Sequence, residues 1–155
     1  MTNKLSNIEI FEISDKMRLP LEGIFFKDDL PNPLKKGFYI INLQSEMTNG
    51  RGTHWTAFYY DGIKNIYYDS FGFPAPKETE AHINPYIYSK KNIQDINTSS
   101  CGFYCLAFIK FLKNKINKEK AFNTFINLFD DKTYKNEMIL DSILYDKEYK
   151  TYMYK

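Results

Sequence analysis

The segment HWTAFYYDGIKNIYYD carries a His at one end, residue 54, and an Asp at the other, residue 69, while CGFYCLAFIKFL opens on a Cys at residue 101. An imidazole, a carboxylate and a thiol are the parts of a nucleophilic site. The ring takes the proton from the thiol, the carboxylate orients the ring, and the thiolate attacks. Whether they can meet depends on strand register. With Asp61-Gly62 as a two-residue turn, Tyr60 pairs with Ile63 and His54 lies opposite Asp69, with Cβ atoms about 4.5–5.5 Å apart on one face. A four-residue loop keeps both side chains on that face, whereas a three-residue loop separates them. Alone, such a pair is more often a satisfied polar contact in a sheet.

The thiol adds the reactive partner. Ser99 or Ser100 is expected to cap a helix whose first turn holds Cys101, and the positive end of a helix dipole favours the thiolate. Gly102 beside it would let a substrate backbone come close. Cys105, one turn further on the apolar face, is expected to be a small core residue. Gln94 stands seven residues before Cys101, at the expected end of a short strand. Its amide can donate to an oxyanion, with the Cys101 backbone N–H as the second donor.

These residues need elements to hold them. Residues 7–17 have the spacing of a short amphipathic helix. Residues 19–37, rich in Pro and Gly, predict a bent connector around one apolar piece, Ile24 to Phe26. GFYIINLQ predicts a buried strand, SEMTNGRG a loop, and HWTAFYYD and IKNIYYD the two arms of a hairpin. FGFPAPKETEAHINP is turn-rich with room for one helical turn, and YIYSKKNIQ predicts a further short strand. From Cys101 the period becomes helical. Cys105, Phe108, Ile109, Leu112 and Ile116 share a face, and KEKAFNTFINLFD and TYKNEMILDSILYDKEY repeat the pattern. The fold class that follows is α+β, with a central, mostly antiparallel sheet packed against helices in a single domain over residues 1–155.

Composition narrows the function classes. With 155 residues the chain can bury one core, and thirteen Tyr and thirteen Phe make aromatic rings its main packing material. A formal charge of +2 gives little whole-molecule attraction to nucleic acid or membrane. The Lys at 110, 113, 115, 118 and 120 are read as a solvated helix face, with weak DNA contact as the other reading. No segment has the ~18 apolar residues of a bilayer span, and the start has no signal-like apolar core. The only two cysteines, four apart on one helix, do not suit a disulfide, which points to a soluble protein of a reducing compartment. With His82 they do not form a zinc site, so neither metal nor other cofactor is expected.

Taken together, HWTAFYYD, IYYDSFGF, IQDINTSSCG and CGFYCLAF resemble, in the same order, four pieces of the adenovirus-type cysteine proteinases. These share a clan with the proteases that cut ubiquitin-like modifiers. GIFFKDDLP and the strand before SEMTNGRG are also similar to capsid-maturation relatives from virophages and Polinton-like elements. The resemblance covers approximately residues 24 to 112. It implies a papain-like cysteine proteinase fold, with His54 as general base and acid, Asp69 as its orienter, Cys101 as nucleophile and Gln94 as oxyanion donor. Trp55 would help wall a narrow slot favouring Gly around the cut, through its backbone or edge. The acidic member is Asp where adenovirus enzymes use Glu. With no Cys outside the helix, activation by a disulfide-linked peptide is not expected.

The function implied is an endopeptidase that cleaves capsid or precursor polypeptides at Gly-containing sites, in the virion, the host-cell cytoplasm or the virus factory. An isopeptidase acting on ubiquitin or related modifiers uses the same chemistry, as does an acetyltransferase effector. A non-catalytic protein-binding module with the same fold is the reading from another class.

Overall fold

The computed structural model describes residues 4–44 and 54–145. Within them, α1 spans Asn7–Lys16, β1 Leu21–Phe26, β2 Gly37–Asn42, β3 Trp55–Tyr60, β4 Asn65–Tyr68, α2 Lys77–Ile83 and β5 Tyr86–Tyr88. α3 follows over Cys101–Leu112, α4 over Lys118–Asn127 and, after a 3-10 turn at Thr133–Lys135, α5 over Asn136–Leu144. The architecture is α+β, with a five-stranded mixed sheet packed against helices. The expected loop SEMTNGRG and the last residues of the third helical pattern, DKEY, lie outside the described residues.

The five strands lie in sequence order across the sheet. β1–β2 and β4–β5 are parallel, whereas β2–β3 and β3–β4 are antiparallel. This corrects the expectation of a mostly antiparallel sheet. A parallel neighbour needs a connection that carries the chain back to the starting end. Residues 27–36 do this before β2, and the stretch holding α2 does it before β5. α2 itself runs for 7 residues where one turn was expected. The Pro- and Gly-rich connector likewise contains a strand of 6 residues, β1. Its partly exposed edge position, with the irregular pairing around Gly23, explains why no clean alternation marks it.

Alternation divides the sheet into two faces. Phe38, Ile40, Ala57, Tyr59, Ile66 and Tyr68 point toward the α3 side, and Tyr39, Ile41, Phe58 and Tyr67 join Leu30, Ala75 and Ile83 on the other. α3 was expected to bury one face, yet 10 of its 12 residues are buried. It lies between β3 on one side and α1, α4 and α5 on the others, so an apolar surface all round is what its position demands. Ile116 is not part of that surface. The helix ends at Leu112, and Ile116 is fully exposed.

At the centre, the Tyr68 and Phe108 rings stack at 5.3 Å, with Phe122 and Phe125 edge-on to both. The Tyr68 hydroxyl is buried there with no hydrogen-bond partner among the described residues. A buried donor left unpaired is a net destabilising group. Tyr68→Phe is therefore expected to raise unfolding stability by roughly 1 kcal/mol in urea titration; an equal loss would show that the hydroxyl is satisfied.

Candidate active site

The hairpin register decides what the strand ends bring together. Ala57 pairs with Tyr68, Phe58 with Tyr67 and Tyr59 with Ile66, so the loop is the four residues Asp61–Lys64 and not Asp61-Gly62. Side-chain acceptors explain the longer loop. Asp61 Oδ1 accepts the Ile63 and Lys64 amides, and Asn65 Oδ1 accepts those of Asp61 and Gly62. The shift is two residues, an even number, so His54 and Asp69 stay on one face as diagonal neighbours. A diagonal pair of long side chains still meets. His54 Nε2 and Asp69 Oδ1 lie 2.8 Å apart.

Asp69 is held from three directions. Its Oδ1 also accepts the Phe71 amide at 2.8 Å, its carbonyl accepts the Gly72 amide at 2.8 Å, and the carboxylate is almost wholly buried. The turn brings Phe71 over His54, ring centroids 4.8 Å apart. Gly72 closes it at φ +85°, and a Cβ there would stand 2.5 Å from the Lys90 carbonyl oxygen. No side chain fits that position without moving backbone.

Cys101 is the first residue of α3 and stands at the edge of the larger core, 4% exposed. His54 hydrogen-bonds Asp69 through Nε2, and Cys101 stands near enough to the ring to act on its protonation, with Nδ1 the nitrogen left for the sulfur. Burial by itself would lower the His54 pKa. The hydrogen bond to Asp69 and the interaction with Cys101, and then their negative charges, outweigh it and push the imidazolium up to about 9. The imidazole is therefore held in its protonated form near neutral pH. Cys105 differs: burial above all, then the charges of Cys101 and Asp69, holds its thiol well above the ordinary range. Both cysteines are free thiols.

Gln94 lies beyond β5, outside any strand, and is 1% exposed. Its amide and that of Ile93 both donate to the Ser70 carbonyl at 2.9 Å, which ties the segment to the end of β4 beside Asp69. Its side chain accepts from Ser70 Oγ at 2.6 Å, so its Nε2 points to Thr98, 3.1 Å from Oγ1 and 3.3 Å from the carbonyl. The donor thus faces the loop that leads into Cys101. Sequence reasoning missed Ser70 and Thr98, which aim this amide.

Trp55 is turned to the opposite face from His54, 4% exposed in the larger core, with Nε1 donating to the Leu5 carbonyl at 2.9 Å. It lines a cleft of about 520 Å³ together with Leu5, Ile24, Phe26 and Asn42. Gly102 does not offer its bare Cα to a cleft. A Cβ there would meet Leu5 at 3.1 Å and Ile10 at 3.5 Å, so its smallness admits the N-terminal segment against α3. A second cleft, of about 420 Å³, is lined by His54 itself with Lys27, Leu43, Phe71 and Phe73.

Ser100 occupies the cap position of α3, yet its hydroxyl makes no capping bond to the helix. The lysines expected on a solvated face are partly engaged: Lys110 donates to the Leu144 carbonyl and Lys118 to those of Lys113 and Lys115. Among the described residues, no group of three or more His, Cys, Asp or Glu is placed to hold a metal ion. Among them also, no helix is long and apolar enough to cross a membrane. No protein-family model matches the chain, and no curated protein matches it.

Two outcomes follow from this geometry. The folded pKa of His54 lies above its unfolded value of 6.5, so its stabilising contribution is whole below pH 6.5, declines as pH rises and is gone above about 9. Urea titrations at about pH 6 and about pH 9.5 should show a loss on the order of 3 kcal/mol that is absent from His54→Asn. Gly72→Ala should lower stability by roughly 2 kcal/mol at any pH, through its positive φ and the nearby carbonyl.

Proposed function

We propose that the protein is a cysteine endopeptidase of the adenovirus-type clan, with a papain-like fold, acting on capsid or precursor polypeptides. What carries the reading is the His54 ring, joined to Asp69 through one nitrogen and close enough to Cys101 for that residue to raise its pKa, three residues from just before β3, just after β4 and the start of α3. That is the connectivity needed for a thiol nucleophile, its base and the orienter of that base.

In this reading the Cys101 thiolate attacks the scissile carbonyl carbon, and the carbonyl π electrons move onto oxygen. The Cys101 backbone N–H and one amide hydrogen of Gln94, exchanged from Thr98 to the new acceptor, stabilise that oxyanion. Imidazolium His54 then gives its proton to the departing amine as the C–N bond breaks, leaving a thioester on Cys101. Neutral His54 next takes a proton from water as hydroxide adds to the thioester, and the sulfur leaves. Asp69 keeps Nε2–H pointed at itself throughout and stabilises the imidazolium. A nucleophilic residue only 4% exposed admits an extended chain with little side chain at the cut, which favours glycine. The free C-terminal Gly-Gly tail of a modifier meets the same requirement, so the isopeptidase reading stays second.

The decisive experiment offers a fluorogenic peptidyl-Gly-Gly-aminomethylcoumarin and candidate capsid precursors to the protein, with new termini identified by mass spectrometry. Cleavage should fall by at least about 10³-fold in Cys101→Ala and by about 10²–10³-fold in Gln94→Ala. Undiminished cleavage by folded Cys101→Ala would sink the assignment. Alkylation of Cys101 no faster than Cys105 at neutral pH would instead favour a non-catalytic binding module.

A further inference from the structure

The residue just before the nucleophile is tied to the C-terminal helix. Ser100 Oγ donates to the Glu137 carboxylate, 2.9 Å from Oε1 and 3.1 Å from Oε2. A hydroxyl has a single hydrogen, and a charged acceptor holds it more strongly than a neutral one. The Ser100 backbone, at φ −91° and ψ 12°, also departs from the extended conformation of a capping residue. The Ser100 hydroxyl is drawn to α5 and away from the first-turn amides of α3, the groups that must face the oxyanion. Tyr104 OH, one turn into α3, donates to Glu137 Oε2 at 3.0 Å, so one carboxylate grips both the residue before Cys101 and the helix after it.

The same short segment braces the rest of the loop. Asn136 Nδ2 donates to the Ile93 carbonyl at 2.8 Å, and Thr133 Oγ1 to Asp95 Oδ2 at 3.1 Å. Residues 133–137 therefore hold the stretch 93–100 at three points, with Gln94 near one end and Cys101 just past the other.

We propose that Glu137 is a positioning residue of the active site: by anchoring Ser100 it sets the Cys101 sulfur and the first-turn amides of α3 where the oxyanion forms. This rests on the peptidase reading above. An interaction of this kind acts on the transition state more than on ground-state binding, so its loss lowers kcat with little change in KM.

The test measures kcat and KM on the peptidyl-Gly-Gly-aminomethylcoumarin substrate for the full chain, with circular dichroism to verify folding. Glu137→Ala is expected to lower kcat by 10-fold or more, in order-of-magnitude terms, with KM within about two-fold of wild type. Glu137→Gln, whose amide oxygen still accepts from Ser100, should recover most of the loss. Ser100→Ala reads the same bond from its other end and should reproduce the fall, and combining it with Glu137→Ala should add less than about two-fold, since the anchor is already gone. Should Glu137→Ala lose the folded state, Ser100→Ala decides alone. Wild-type kcat in folded Glu137→Ala or Ser100→Ala, or losses that simply multiply in the double variant, would overturn the anchor and leave the peptidase reading standing. Absence of Cys101-dependent turnover in the wild type would overturn both.

Discussion

The hydrogen bond between His54 Nε2 and Asp69 Oδ1 joins the ends of two neighbouring strands, and the rest of the site is arranged around it. It exists because the connecting loop keeps an even register, so that both side chains leave the same face of the sheet. With Nε2 engaged, the ring presents Nδ1 to Cys101, and its orientation follows from packing against Phe71 and from the turn closed by Gly72. An odd change in register would separate the pair and would also turn Ile66 and Tyr68 away from the core on the α3 side, so the packing and the pair depend on the same parity.

Two thiols on one helix show how much environment matters. Cys101 and Cys105 are one turn apart, yet only the first reaches the imidazole, and the second is surrounded by core with its thiol held well above the ordinary range. α3 makes this possible by being buried nearly all round, which fixes the helix between the sheet and the other helices and so fixes where its first residue stands. A thiol at the start of such a helix is positioned by the packing of the larger core. Its loop, by contrast, is polar and irregular. It is held by hydrogen bonds from Ser70 on one side and from the start of α5 on the other.

Much of this was legible in residue patterns, for identifiable reasons. Apolar and aromatic runs of strand length mark β2, β3 and β4, the helical period marks the chain from Cys101 onward, and the aromatic content announces the kind of core found around Phe108. Parity carried the His54–Asp69 pairing through an error in loop length, because Asp61 and Asn65 build a four-residue turn where Asp-Gly signals a two-residue one. The edge strand β1 was hidden among Pro and Gly, since a strand at a sheet edge need not alternate. Parallel pairing at both edges was hidden too, because it depends on where the connections travel. Gln94 was legible as an amide donor ahead of Cys101, but its burial against Ser70 was not, because that contact crosses the chain.

What the order of residues determined by itself was local: which segments pair or coil, which side chains share a face, and which chemical groups are available. Tertiary structure alone decided that Gly102 receives Leu5 and Ile10, that Trp55 is fastened to the Leu5 carbonyl, and that Glu137 reaches Ser100 across the fold. The physical reason is range. Periodicity and turn chemistry act over a few residues, whereas these contacts join segments far apart in the chain, and only the packing of α1 and α5 on α3 brings them within hydrogen-bonding or van der Waals distance.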